Sequence, residues 1–333
     1  MLRIAEILLE PQPTAAWRQL RQVGVDHAVG VLPRALKDWR GDEGDHPWEL
    51  APLALLQGLV EAEGFRLEVI EDNPPMDRIR LGRPGREEEI EYFCTLVRNL
   101  GRLGIPVLCY NWSALLGWVR TELALRGRGG AIVAGYDHRR FRDATIPGLE
   151  AADEADLWEN LRFFLDRVLP VAESAGVRLA MHPDDPPLSP VRGVPRIMRS
   201  VEAFERLLEL NPSEANGLTL CQGNFTLMTD DLPAVIERFG RTGRVHFVHF
   251  RDVRGTPERF VETFHDEGPT DMLACLRAYA RAGVDAVLRT DHTPTLEGDS
   301  AAVPGYSNLG RLHAIGYVQG LCEAAYGPSA ELL

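Results

Sequence analysis

Four short apolar runs in the second half of the chain end in residues able to hold a divalent cation: Met181-His182-Pro183-Asp184-Asp185, Leu220-Cys221-Gln222-Gly223, Val248-His249-Phe250-Arg251 and Arg289-Thr290-Asp291-His292. Two imidazoles, a thiolate and a carboxylate form a mixed donor set that suits manganese, zinc or iron better than magnesium, which prefers all-oxygen shells. His182, Cys221, His249 and Asp291 are separated by 39, 28 and 42 residues, and a strand with its returning helix takes roughly 30 or more. Each donor is therefore expected at the end of a different, successive strand. A parallel barrel gathers strand ends in this way, with its reactive groups on the rim where the C-terminal ends emerge. His246 competes with His249, but three residues apart on one strand they point to opposite faces. His249 is preferred because it lies nearer the rim and is followed by Arg251 on its own face.

The elements that must carry these residues follow the same plan. Eight short apolar-rich segments flanked by turn residues read as strands: Arg3 to Leu9, His27 to Leu32, Arg66 to Glu71, Pro106 to Asn111, Arg178 to His182, Gly217 to Cys221, Arg244 to His249 and Ala286 to Asp291. Between them, Asp156 to Ser174 carries Leu157, Leu161, Phe164, Leu165, Val168 and Val171 at helical spacing, and Glu87 to Leu103, Val201 to Leu210, Leu232 to Phe239, Asp271 to Ala282 and Leu309 to Ala325 read similarly. The steps Leu103-Gly104-Ile105, Ala175-Gly176-Val177 and Ala282-Gly283-Val284 read as a helix C-cap feeding the next strand. The expectation is an α/β fold, one (β/α)8 TIM barrel spanning residues 1–333. Pro33 to Pro47, Asn73 to Arg86, 126–154 and 293–304 read as irregular, the last two long enough to act as lids.

Bulk properties narrow the function. Of 333 residues, 45% are hydrophobic and 26% charged, ordinary for a globular enzyme. Thirty-six basic against forty-nine acidic residues give a net charge of −13, which repels phosphate backbones and argues against nucleic acid. No apolar run approaches the roughly 18 residues of a spanning helix, so no membrane role and a cytoplasmic location are expected. The five cysteines are widely spaced with no Cys-x-x-Cys pair, which excludes a disulfide framework or zinc module, and only Cys221 stands in a polar strand-end context. A homo-oligomer, dimer or higher, is expected.

Three stretches carry a family resemblance: Ala180-Met181-His182-Pro183-Asp184-Asp185-Pro186-Pro187, Val248-His249-Phe250-Arg251, and Pro304-Gly305-Tyr306-Ser307-Asn308-Leu309-Gly310-Arg311-Leu312. Together with Cys109-Tyr110-Asn111-Trp112 and Trp118-Val119-Arg120-Thr121-Glu122-Leu123, they resemble the mannonate dehydratases of the xylose-isomerase-like barrel group, in order from about Glu63 to Glu323. The resemblance implies dehydration of D-mannonate to 2-keto-3-deoxy-D-gluconate with Mn2+, zinc or iron serving as surrogates. It implies His182, Cys221, His249 and Asp291 as metal ligands, and His292 and Tyr306 as the proton-transfer pair, with the direction of transfer open. The chain departs from the family pattern in three places. It has no histidine in Gly30 to Lys37, it is shorter between Glu122 and Asp156, and it carries Trp112-Ser113-Ala114-Leu115 where the family has an apolar run.

The chemistry asks for such groups. Removing a proton from C2 beside a carboxylate builds negative charge that a cation stabilises, while a base takes the proton and an acid protonates the departing C3 hydroxyl. His292 could instead orient Asp291, and Tyr306 could pack the rim. Arg251, Asn111, Asp184 and Glu71 are candidates for holding the sugar acid; Arg251 could grip a carboxylate with two prongs or close an ion pair, Asp184 could anchor His182, and Glu71 could close a salt bridge. A metal-dependent sugar isomerase or epimerase, and a barrel that binds without turnover, are the alternatives.

Overall fold

The computed structural model describes residues 2–35, 46–141, 144–146, 153–299 and 303–327. The first half of the chain runs β1 (Arg3–Leu8), α1 (Ala15–Gln22), β2 (His27–Gly30), α2 (Leu50–Ala62), β3 (Arg66–Glu71), α3 (Asp77–Arg80), α4 (Arg86–Leu103), β4 (Val107–Asn111), β5 (Glu122–Arg126), β6 (Ile132–Asp137) and α5 (Glu154–Ala175). The second half runs β7 (Arg178–His182), α6 (Val201–Leu210), β8 (Asn216–Cys221), α7 (Gln222–Thr226), α8 (Leu232–Gly240), β9 (Val245–Phe250), β10 (Val253–Thr256), β11 (Arg259–Glu262), α9 (Met272–Arg281), β12 (Val287–Thr290) and α10 (Asn308–Tyr326). Eight strands close a parallel barrel in the order β1-β12-β9-β8-β7-β4-β3-β2. These are the eight anticipated from sequence, and the barrel is the (β/α)8 TIM type.

Alternation along each strand builds two cores. Residues pointing outward, such as Leu179, Met181, Leu220, Val248 and Leu288, join the large core between barrel and helices. Inward-pointing Ala5, Val29, Val69, Val107, Ala180, Phe247 and Val287 plug the barrel itself. One step of two residues beyond these plugs lies the rim, so the period of a strand decides which side chains reach it. Gly104 and Gly176, both in the left-handed region, end α4 and α5 as expected.

The segments read as lids are partly regular. Arg126 closes β5, and Ile132–Asp137 forms β6, in a four-stranded antiparallel sheet of order β10-β11-β6-β5. Ile132 and Thr295 exchange backbone hydrogen bonds of 2.9 and 2.8 Å, which tie the post-β12 segment to that sheet. Thus 126–154 and 293–304 are joined to each other in their described parts; 142–143, 147–152 and 300–302 lie outside the described residues, as do 36–45 of the segment Pro33 to Pro47. No helix among the described residues is long and apolar enough to cross a membrane.

His246 illustrates the outward side. Its ring lies over Gly217, where a β-carbon would sit 2.2 Å from it, and its Nε2 donates to the Glu214 carbonyl at 3.0 Å. Burial, aided by Arg178, holds its pKa down to about 3, and burial likewise holds His265 at about 4. Both stay neutral in the fold where the unfolded chain, titrating near 6.5, takes protons. The unfolded state then binds more protons below that value, so stability falls as pH drops from about 6.5 toward 4. The melting temperature is expected to decline over that window, and His246→Gln to flatten the decline; an unchanged slope in the variant would refute the assignment.

Candidate active site and metal centre

Each rim residue sits two positions beyond an inward residue of its strand, or four in the case of Asp291. Ala180 leads to His182, Thr219 to Cys221, Phe247 to His249, Val69 to Glu71, Cys109 to Asn111, and Val287 through Arg289 to Asp291. Strand register sets them level, with Cys221 beside His249, Asn111 beside His182, and Arg289 beside His249.

Ligand-type atoms of His182, Cys221 and His249 all lie within 4.8 Å of one another. His182 Nε2 is 3.1 Å from His249 Nδ1. Asp291 Oδ2 lies 3.6 Å from His249 Nδ1 and 3.9 Å from Cys221 Sγ. The far side of each ring shows which nitrogen faces inward with a lone pair. His182 Nδ1 donates to the Pro183 carbonyl at 2.7 Å, leaving Nε2 unprotonated. His249 Nε2 faces the Glu71 carboxylate at 3.3 Å, which favours its proton there. Burial lowers the His182 pKa, so its ring stays neutral. Two ring lone pairs and a sulfur thus come together, and beside them stands a carboxylate oxygen that also accepts from Arg251 Nε at 2.8 Å. The donor set therefore fits a borderline divalent ion.

Charge surrounding the donors leads to the same fit. Carboxylates of Glu71, Asp185, Glu262 and Asp291 are paired with the guanidiniums of Arg120, Arg251 and Arg289, all buried or nearly so. Negative charge exceeds positive there, and Cys221 as thiolate would add to the excess. For Asp291, burial alone would raise the pKa, but Arg289, His292, His249 and Arg251 together hold it well below the usual carboxylate range. Burial opposes ionisation of Glu71 and Asp185 too; Arg289 keeps the first ionised, and Arg120 with Arg251 the second. Glu262 is held at about 2 against its burial, chiefly by Arg251 and Arg120.

Above the donors opens a cavity of about 330 Å3, lined by Glu71, Asn111, His182, His249, Asp291, His292 and Tyr306 among others. Tyr306 donates its hydroxyl to Asp291 Oδ1 at 3.0 Å, and His292 Nε2 lies 3.5 Å from the same oxygen. Their rings stand edge to face at 5.7 Å. Burial pushes the Tyr306 phenol well above its ordinary pKa despite Arg289 nearby. Trp118 covers His292 from the solvent side, ring centres 5.4 Å apart.

The four weaker candidates fall differently. Arg251 does not line the cavity: four of its five N–H donors are bonded to Asp291 at 2.8 Å, Asp185 at 2.8 Å, Glu262 at 3.0 Å and Asn224, so the two-pronged grip on a substrate carboxylate is not offered. Asp184 is fully buried and accepts from Ser113 and from the Met198 amide at 2.8 Å, while the Pro183 carbonyl takes the role of partner to His182. Asn111 does line the cavity, its Oδ1 accepting from Arg80 at 3.0 Å. Glu71 also lines it, clamped by Arg289 through two bonds of 2.7 Å.

Arg289, Arg120, Asp185 and Glu262 escaped sequence reasoning. Arg289 was open to it, lying two residues before Asp291 on the same strand face. Glu262 carries no such signal, because it arrives from β11 outside the barrel.

Comparison with known proteins adds a separate line. A profile of the D-mannonate dehydratase family matches residues 11–151 and 145–328. The mannonate dehydratase of Thermotoga petrophila is 35% identical, covering 95% of each chain, and that of Enterococcus faecalis 34%, covering 92% of this chain and 93% of the relative. The crystal structure of mannonate dehydratase from Streptococcus suis serotype 2 superposes with a TM-score of 0.87 at 30% identity, over 100% of this chain and 98% of that one. An L-ribulose 3-epimerase, at TM-score 0.61 and 15% identity over 99% of each chain, shares the fold alone. With matches extending over nearly its whole length, the chain belongs to the mannonate dehydratase family.

Proposed function

We propose that this protein is a hydro-lyase that dehydrates a sugar acid, D-mannonate or a closely related aldonate, to the 2-keto-3-deoxy acid. The observation that carries the reading is the convergence of His182, Cys221 and His249, with Asp291 Oδ2 3.6 Å from His249 Nδ1, beneath a cavity whose wall also holds His292 and Tyr306. A divalent cation held by those four, manganese in our reading with zinc or iron as surrogates, supplies positive charge against the charge that builds on the substrate as C2 loses its proton.

The protein's own groups do the rest. His292 takes the C2 proton; the electron pair left behind forms the C2–C3 double bond as the C3–O bond breaks. Tyr306 gives its proton to the departing hydroxyl, releasing water, and the enol so formed becomes the ketone by gaining a proton at C3 and losing the one on its C2 hydroxyl. A hydroxyl that bears its proton and donates it to Asp291 Oδ1 at 3.0 Å supports Tyr306 as the acid. Arg289 and Arg251 hold Asp291 from two sides. Glu71 and Asn111, which line the same cavity, are the groups we assign to substrate hydroxyls.

A donor set containing a thiol and no glutamate supports the isomerase or epimerase alternative less well. Five free, buried cysteines support a cytoplasmic setting, and exposed Leu50 and Leu55 on α2 are apolar surface that a second copy could cover in a homo-oligomer.

The test is incubation of purified protein with Mn2+ and a panel of aldonates. Formation of a 2-keto-3-deoxy acid from D-mannonate is expected. No product from any member, or aldose–ketose interconversion without loss of water, would overturn the reading.

A further inference from the structure

Glu262 is the side chain on β11 that reaches back to the barrel mouth. Its Oε1 lies 3.0 Å from His292 Nδ1 and accepts from Arg120 Nε at 3.1 Å, while Oε2 accepts from Arg251 Nη1 at 3.0 Å. We propose that Glu262 is a positioning residue of the proton-transfer pair: by accepting from His292 Nδ1–H it leaves Nε2 as the nitrogen that meets substrate. The inference rests on the dehydratase reading for its catalytic consequence, though not for the tautomer itself.

Three observations carry it. A carboxylate gripped by two guanidiniums has only acceptor capacity, so a ring nitrogen at 3.0 Å from it must bear the proton. The two arginines do not depend on Glu262 for neutralisation. Arg120 also binds Asp185 at 2.5 and 3.0 Å, and Arg251 also binds Asp291 and Asp185 at 2.8 Å each. For His292 Nδ1, by contrast, Glu262 is the hydrogen-bond partner among the described residues. Finally, His292 adopts φ +43°, a left-handed backbone that few non-glycine residues take, histidine more often than most. The segment after it is held by Thr293 N–H to the Gly305 carbonyl at 2.7 Å. Such a conformation persists when its surroundings over-determine it, and the bond to Glu262 sets the ring as the backbone sets the Cα. The accessory sheet thus contributes to chemistry as well as cover, because β11 pairs with β6 through Arg259↔Asp137, Phe260↔Tyr136 and Val261↔Gly135 and so delivers the next residue, Glu262, to the imidazole.

Glu262→Gln would keep size while placing an amide where two arginines and a ring N–H demand acceptors. One arm of that amide must donate, and facing Nδ1 it would stabilise the wrong tautomer. Expected for Glu262→Gln is a fall in kcat of about 10²- to 10⁴-fold, with KM within about threefold of wild type and metal content unchanged by elemental analysis. Glu262→Asp, retaining the charge, should recover kcat to within about tenfold of wild type. Nitrogen-15 NMR of the zinc-loaded or metal-free protein, labelled at histidine, should show His292 protonated at Nδ1 in the wild type. A His292 protonated at Nε2 in the wild type overturns the proposal. So does a Gln variant within threefold of wild-type kcat, or an Asp variant no better than the Gln variant when both retain fold and metal. The NMR assignment needs no variant to fold and no substrate, so it also separates failure of this inference from failure of the dehydratase reading.

Discussion

Cys221→Ser and His182→Ala are each expected to strip the bound metal and lower kcat/KM by about a thousandfold or more, while the barrel stays folded. A serine hydroxyl keeps its proton at neutral pH and cannot replace a thiolate as ligand, and alanine removes the Nε2 lone pair that the Pro183 carbonyl aims inward. A cation that stabilises developing charge by several kcal/mol corresponds to at least that change in rate. The fold should persist because the barrel closes through strand pairing and its inward plugs, not through these side chains. Elemental analysis, circular dichroism and turnover of an aldonate, measured on the same preparations, decide the matter. Metal retained at wild-type stoichiometry with turnover within tenfold would refute the centre.

Cys109→Ser sharpens the result. Glu71, Cys109 and His249 also bring ligand-type atoms within 4.8 Å of one another, on the other side of His249. There the guanidinium of Arg289 already binds Glu71 through two bonds of 2.7 Å, and a second cation would face it at short range. Cys109 instead lies 3.2 Å from the Thr219 hydroxyl, so Cys109→Ser should keep the metal. Loss in that variant alone would move the centre from the ends of β7 and β8 to those of β3 and β4, with His249 common to both.

The contrast between these trios shows what could be read before the fold was seen. Spacing placed His182, Cys221, His249 and Asp291 on successive strand ends, and a period of two separated His249, facing the mouth, from His246, packed over Gly217. Both inferences use only local geometry: strand length, alternation and the βα repeat. Arg251 shows where local geometry stops. Its position after His249 on the same face was legible, but whether its guanidinium meets substrate or protein depends on Asp185, Asn224 and Glu262, which reach it from three separate segments. Asp184 fails for a related reason. It lies two residues after His182, yet the chain turns there and sends it to the Met198 amide rather than to the imidazole. Likewise the segment from Arg126 onward reads as loop because β6, besides its local partner β5, is held by β11 and by Thr295, far along the chain.

Tyr306→Phe is the second large effect, a fall in kcat of about 10²- to 10⁴-fold, the usual contribution of a positioned acid or base. His292→Gln should lose at least as much, and the two losses differ in kind. Both groups converge on Asp291 Oδ1, the phenol at 3.0 Å and Nε2 at 3.5 Å, so they address one flank of the cavity. If His292 removes the C2 proton and Tyr306 protonates the leaving hydroxyl, then Tyr306→Phe stops water loss but leaves the imidazole able to exchange C2 hydrogen. Substrate deuterated at C2 and recovered unreacted should then lose its label to solvent with Tyr306→Phe and keep it with His292→Gln. The reverse pattern would exchange the two roles, and turnover within tenfold of wild type in both variants would remove the pair from the chemistry. Phenylalanine keeps the ring that packs against the barrel plugs and deletes only the hydroxyl that donates to Asp291, so a rate loss without loss of metal assigns the effect to the proton rather than to the rim's packing.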